Sequence, residues 1–310
     1  DVYKRQLMPY ITKLKELCGR LGCEYKEDEP LKKHTTFKIG GNCRMMIFVN
    51  SASTLSEVVR FCRSENVRTF VMGRGSNILA ADNGFDGVIL LISRDFSEIR
   101  LINDTEICCT AGASLKDVCL FALDHNLTGL EFAYGIPGTA GGALYMNAGA
   151  YGGEMKDVVV SADYIDASGE THSVNADEMK LSYRHSVFAE NPDNIITDMT
   201  LRLDKGNHDE IQAEMKTLMQ KRLDKQPLEY PSAGSTFKRP EGSYASLLIE
   251  QCGLKGLTYG GAQVSEKHSG FVVNKGKATF EDVIKLTDEV KKTVLEKTGY
   301  SLELEPVILK

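Results

Sequence analysis

GLEFAYGIPGTAGGALYMNAGAYGGEM, Gly129 to Met155, packs eight glycines into 27 residues, with Pro137 among them. Glycine loses more conformational entropy on folding than any other residue, so such a density weakens a fold unless something compensates. A common compensation is a backbone brought close to a ligand, its amide N–H groups turned toward anionic oxygens. A loose linker would be polar. This stretch instead interleaves Leu130, Phe132, Ile136, Leu144, Tyr145 and Met146. It reads as a buried, ligand-facing backbone.

A second glycine turn, GRGSN at Gly73–Asn77, stands between a strand-like run and an apolar stretch. A dinucleotide fingerprint of the GxGxxG kind needs a third glycine, and Ile78 occupies that position. An acidic ribose-binding residue at the end of a second parallel strand is also missing. Alone, GRGSN reads as a tight turn. Paired with the first stretch, it gives two turns that could cradle the two phosphates of one dinucleotide.

The rest of the chain sets bounds. Its 310 residues predict about two domains. A hydrophobic fraction of 42% and a charged fraction of 26% are those of an ordinary globular protein. A net charge of −6 excludes a general nucleic-acid binder, which needs a basic face. The eight cysteines form no CxxC pair and no metal-ligand spacing, so neither a disulfide framework nor a metal site is expected. No apolar run reaches the ~18 residues of a membrane span. The opening DVYKRQ has no signal-peptide core, Met8 is expected nearer the native start, and a reducing cytoplasm fits.

Periodicity predicts a helix over 9–22, a second opening at Thr54 with Glu57 as a capping box, a third opening at Ser114, and a hairpin turning at Ser168–Gly169. After Lys205–Gly206 the character changes. A helix bearing Ile211, Met215 and Leu218 leads to the basic patch at 221–225, and a last helix opens at Thr279 with Asp282 at its third position.

HTTFKIGG (34–41), GRGSNILAADNGFDGVIL, the Gly129–Met155 stretch, YRHSVF (183–188), SAGSTFKRP (232–240) and GLKGLTYGGAQVSEKHSGFVVN (253–274) follow one another in this order. In that order they resemble the UDP-N-acetylenolpyruvoylglucosamine reductases, over nearly the whole chain from Thr35 to Glu305. The resemblance implies an α+β protein. An FAD-binding domain of the vanillyl-alcohol-oxidase (PCMH) type is expected over 8–205, in subdomains of about 8–72 and 73–205. A smaller α+β substrate-binding domain follows over 206–300, and 301–310 form a C-terminal strand contributing to the active site. That domain type binds flavin without a Rossmann fingerprint, which accounts for Ile78. Between Phe188 and Lys225 there is too little chain for the extra substrate-covering loop of the family's longer subtype, so the shorter subtype is implied.

The activity implied is NADPH-dependent reduction, through FAD, of the enolpyruvyl group of UDP-N-acetylglucosamine-enolpyruvate, giving UDP-N-acetylmuramate for peptidoglycan synthesis. Such chemistry needs a positioned proton donor and cationic groups on the substrate carboxylate, where charge builds. The motif match puts the donor at Ser235, the active-site arginine at Arg184 and the C-terminal glutamate at Glu305. Glu303 is a one-step register alternative in LELEP, and Pro306 departs from the family's usual valine. Read without the resemblance, Ser235 is a turn residue after Gly234, Arg184 a surface arginine and Glu305 an exposed strand residue. Gly73, Arg74, Gly75, Ser76 and Asn77 are expected on the cofactor, together with Gly135, Ile136, Pro137, Gly138, Gly141, Gly142, Asn147, Ala148 and Gly149. Because Ser76 stands where related oxidases carry a flavin-anchoring histidine, non-covalent FAD is expected. Lys225, Lys238, Arg239 and Lys267 are candidates for the UDP diphosphate. For Arg239 and Lys267 a merely solvated position is equally compatible. A monomer, free of nucleic acid and membrane, is expected.

Overall fold

Apolar residues recurring every three or four positions from Ile11 to Leu21 form the helix Pro9–Leu21, which turns Leu14 and Cys18 fully inward. The computed structural model describes residues 9–92 and 94–310; Met8, the expected start, lies outside them. The second helix, Ala52–Ser64, begins earlier than its sequence signal predicts. Ser51 is the cap, accepting from the Thr54 N–H, while the Thr54 hydroxyl donates to Asn50 one turn inside. An ST-rich run offers several caps, and the one that leaves Leu55, Val58, Val59 and Cys62 on a single buried face wins. Ser114 caps the helix Leu115–Asp124 as its sequence predicts.

Two compact units result. Of the described residues, the first comprises those up to Glu27, Met45–Gly73 and Gly87–Gln220. A four-stranded sheet runs in the order Tyr25–Pro30, Asn42–Val49, Phe85–Ile92, Thr69–Met72, the last pair parallel, and this unit holds its residues 25–27, 45–49, 87–92 and 69–72. A five-stranded antiparallel sheet runs in the order Thr171–Asn175, Val159–Ile165, Ile195–Arg202, Glu106–Thr110, Ile99–Leu101. The expected hairpin closes at Ser168–Gly169, where the Asp166 carboxylate accepts the N–H groups of Ser168 and Glu170.

The second unit comprises Asp28–Arg44, Arg74–Asp86 and Lys221–Lys310. Its core gathers Phe37, Ile39 and Leu79 with Val264, Val272 and the inner face of the helix Phe280–Thr298. That helix carries the predicted Thr279–Asp282 capping box, and Asp82 accepts the Phe280 N–H at 3.0 Å. A three-stranded antiparallel sheet is formed by Thr258–Tyr259, Ala262–Val264 and Val272–Asn274. The strand Val307–Leu309 lies parallel to Ile78–Ala80.

Packing therefore draws the line elsewhere than the change of character at 206. Ile211 and Met215, on the helix His208–Lys225, are buried in the first core, which carries that unit on to Gln220. HTTFKIGG and most of GRGSN go to the second unit because Phe37, Ile39 and Leu79 are buried there.

All eight cysteines are buried free thiols, and burial pushes Cys62 up to about 12. Among the described residues no helix is long and apolar enough to cross a membrane.

Candidate functional site

In the first unit the Gly129–Met155 stretch folds as a short 3-10 turn, Glu131–Ala133, then the helix Ala140–Tyr145, then the tight ribbon Gly149–Ala150/Gly153–Glu154. Its glycines divide into two kinds. At Gly141 a Cβ would stand 2.7 Å from the Ala111 Cβ, and at Gly149 one would stand 2.7 Å from the Gly153 carbonyl oxygen. These two are glycines because the protein packs against itself there. Gly138 differs: the nearest protein atom to an added Cβ is 3.8 Å away, and Pro137 and Gly142 are exposed. The backbone of the stretch is thus most open at Pro137 and Gly138 and at the exposed Gly142.

The first residue of the other glycine turn meets this stretch. A Cβ on Gly73 would come within 2.5 Å of the Thr139 hydroxyl, and that hydroxyl caps the helix by accepting the Gly142 N–H at 3.3 Å. Gly75 lies in the second unit at φ +62, and an added Cβ would overlap the His34 carbonyl. Its carbonyl accepts the Thr36 N–H at 3.2 Å, which ties GRGSN to HTTFKIGG. Arg74 is exposed and Ser76 half-buried.

Asn147 behaves differently from its expected place on the cofactor. It is fully buried, and every polar atom of its amide is engaged within the protein. Nδ2 donates to Glu154 Oε2 at 2.7 Å and to the Ser182 carbonyl at 2.9 Å, while Oδ1 accepts the Lys156 N–H at 2.9 Å. Ala148 donates its N–H to the Ala143 carbonyl. These residues hold the loop in shape beside the open surface.

Arg184 sits in the turn that Asn147 grips. Ser182 and His185 exchange both backbone hydrogen bonds, at 3.2 and 3.1 Å, and Arg184 at the apex adopts φ +54. A non-glycine residue in that region is held at a cost of about 1 kcal/mol or more. Its guanidinium lies over the Tyr183 ring, 5.0 Å from the centroid. Beyond it, Ser186, fully buried, donates its hydroxyl to the Tyr145 carbonyl at 2.7 Å.

In the second unit, the segment that follows Ser235 is paired through its backbone with the one that carries Glu305. Glu305 donates its N–H to the Thr236 carbonyl at 3.0 Å, Phe237 bridges Leu304 antiparallel, and Lys238 donates its N–H to the Glu303 carbonyl at 2.9 Å. On the other side, the Thr236 N–H donates to the Gly270 carbonyl, and its hydroxyl accepts from the Val272 N–H at 2.7 Å. Asn77, the last residue of GRGSN, accepts the Val307 N–H at 2.9 Å. The two glutamates differ in exposure. Glu303 is 75% exposed and paired with the Lys238 ammonium at 3.3 Å, whereas Glu305 is half-buried with Oε2 sealed from solvent.

The four cations expected on the diphosphate are engaged in different ways. Lys267 donates to the Leu223 carbonyl at 2.6 Å, near the C-terminal end of the helix His208–Lys225, where a cation complements the helix dipole. Lys225 is the exposed last residue of that helix. Lys238 is held by Glu303, and Arg239 lies over the Tyr244 ring at 4.9 Å. Ser182, Ser186, Glu154 and Thr236 position the candidates, and sequence reading passed over them. Their polar character gave no signal, because a buried latch and a solvated serine look alike in a sequence.

Comparison with known proteins bears on this arrangement. Residues 44–175 match the model of an FAD binding domain, and residues 226–309 that of the C-terminal domain of UDP-N-acetylenolpyruvoylglucosamine reductase. The reductase of that name from Caldanaerobacter subterraneus subsp. tengcongensis is 47% identical over 300 residues, covering 96% of each chain. The one from Syntrophomonas wolfei is 45% identical over 280 residues, 90% of this chain and 93% of its own. Among solved structures, UDP-N-acetylenolpyruvylglucosamine reductase (MurB) from Thermus caldophilus superposes with a TM-score of 0.78 at 32% identity, over 93% of this chain and 99% of that one. With an FAD-binding domain matched over the open glycine surface and relatives of this identity along almost its whole length, the chain belongs to the UDP-N-acetylenolpyruvoylglucosamine reductase family and is an FAD-dependent oxidoreductase.

Proposed function

We propose that this protein uses NADPH to reduce the enolpyruvyl ether of UDP-N-acetylglucosamine-enolpyruvate to UDP-N-acetylmuramate, a step of peptidoglycan precursor synthesis, acting as a cytoplasmic monomer. FAD, held non-covalently against Gly135–Gly138 and Gly142, supplies the hydride relay between the two substrates. Ser235 delivers a proton to the carbon beside the carboxylate once hydride has reached the terminal carbon. A serine hydroxyl is a weak acid, so the charge it leaves behind must be stabilised, and Arg184 and Lys225 supply cations for that charge and for the substrate carboxylate. Glu305 is the glutamate of the reaction, not Glu303, whose carboxylate is exposed and neutralised by Lys238. Lys225, Lys238 and Arg239 are the cations proposed for the diphosphate, with Lys267 holding the helix end beside Lys225.

The observation that carries this reading is the pairing of Thr236–Lys238 with Glu303–Glu305, which brings the segment that follows Ser235 against the one that carries the sheltered Glu305 carboxylate. The test is anaerobic flavin spectroscopy. The purified protein is expected to be yellow, to bleach with NADPH alone, and to regain colour only when the enolpyruvyl sugar nucleotide is added. A colourless protein that cannot take up FAD, or a reduced flavin indifferent to that substrate, overturns the proposal.

A further inference from the structure

We propose that Asn147 is the positioning residue of Arg184: its carboxamide latches the arginine's turn to the glycine-rich loop and so fixes where the guanidinium is presented. The inference rests on the proposed role of Arg184.

The geometry is specific. Oδ1 faces an N–H, that of Lys156, while Nδ2 faces two oxygens that can only accept, Glu154 Oε2 and the Ser182 carbonyl. A flipped amide would set oxygen against oxygen twice, so the orientation is fixed by its partners. Asn147 itself has φ +41, a conformation that asparagine and glycine adopt more readily than other residues. One small side chain therefore ties together the helix Ala140–Tyr145 just before it, the turn at Glu154–Lys156, and the first residue of the Ser182–His185 turn. Ser186, gripping the Tyr145 carbonyl, is the second anchor, so the apex at Arg184 is held from both sides by the same loop. Arg184 sits at φ +54, where a released turn has more relaxed alternatives. The latch keeps it there.

Two substitutions separate this role from ordinary stability. Asn147→Gly tolerates the backbone and deletes the amide. Asn147→Asp keeps the acceptor for Lys156 but turns an oxygen toward both Glu154 and the Ser182 carbonyl. Adding Glu154→Gln to Asn147→Asp gives residue 154 an amide that donates to the new carboxylate, which repairs that link and leaves the Ser182 link broken.

The experiment measures, in the FAD-loaded protein, thermal stability and the two half-reactions: flavin reduction by NADPH, and reoxidation by the enolpyruvyl substrate. Asn147→Gly is expected to slow reoxidation at least tenfold more than it slows reduction, and to speed hydrogen exchange at the His185 amide, which is bonded to the Ser182 carbonyl. The Asn147→Asp/Glu154→Gln pair should regain thermal stability without regaining reoxidation. In an Arg184→Lys background, Asn147→Gly should change reoxidation less than twofold. Equal loss in both half-reactions, reoxidation recovering together with stability in the double variant, or a His185 amide still protected in Asn147→Gly each overturns the latch. If Arg184→Lys alone leaves reoxidation intact, the role of Arg184 falls and the inference falls with it. If that variant is crippled while Asn147→Gly is not, the latch alone is wrong.

Discussion

Arg184 and Ser235 are held in place by different means. The Ser235 segment lies in a backbone ladder, with Thr236 paired to Gly270 on one side and to Glu305 on the other. Main-chain hydrogen bonds of that kind do not depend on which side chains the partners carry. Arg184 rides a strained four-residue turn whose anchors are side-chain groups, the Asn147 amide and the Ser186 hydroxyl. Placement of the serine should therefore survive most single substitutions around it, and placement of the arginine should not.

The sharpest way to separate the two is to remove the reacting group without disturbing its frame. Ser235→Ala leaves every ladder bond in place, so reoxidation by the sugar substrate should fall by about 10²–10⁴-fold, the range for loss of a positioned proton donor, with flavin reduction by NADPH largely spared. Stopped-flow measurement of both half-reactions checks it, and equal loss in both would contradict the donor role. Next comes a matched pair of buried-hydroxyl deletions. Ser186→Ala and Thr236→Val each strand one buried backbone group, at a cost of about 1–3 kcal/mol. Both should lower the melting temperature, but only Ser186→Ala should depress reoxidation beyond its effect on reduction. If Thr236→Val does so as well, the contrast between ladder and latch is lost.

Gly141→Ala probes the self-packed part of the glycine stretch. Its methyl would press on Ala111, so destabilisation by about 1–3 kcal/mol is expected, read as a lower melting temperature with FAD still bound. The smallest effect concerns Asp282. Its carboxylate accepts the N–H groups of Thr279 and Gly261, which hold its pKa below the usual value. A folded pKa below the unfolded one means stability that is present above about pH 4 and lost as pH falls through the folded pKa. Asp282→Asn should thus lower the melting temperature at neutral pH, and the gap to the parent should close in acid.

Much of this architecture was legible in the residues. The Thr279–Asp282 box, the Ser114 cap and the Ser168–Gly169 hairpin depend on local chemistry, and each stands where its signal predicted. The unit boundary was not, because the burial of Ile211 and Met215 in the first core and of Phe37 in the second is decided by tertiary packing. At the site, the glycine stretch reads as one surface in the sequence but divides in the structure. Gly138 and Gly142 stand at the open surface, whereas Gly141 and Gly149 are small because neighbouring chain leaves no room. The exposure of Glu303 and the shelter of Glu305 could not be read from an alternating run of glutamates, because residues two apart share a strand face and only the surrounding packing separates them.

The parallel pair Ile78–Ala80 and Val307–Leu309 carries a consequence for how the molecule is made. In the adjoining contact, 228 positions separate Asn77 from Glu305. During synthesis, at about 5–20 residues per second, the early strand waits ten seconds or more on the ribosome before its partner is even translated. The first unit has all its residues by Gln220 and can close while translation continues. Closure of the second, and with it the pairing of Thr236 with Glu305, must wait until the stretch from Glu303 to Leu309 has been made.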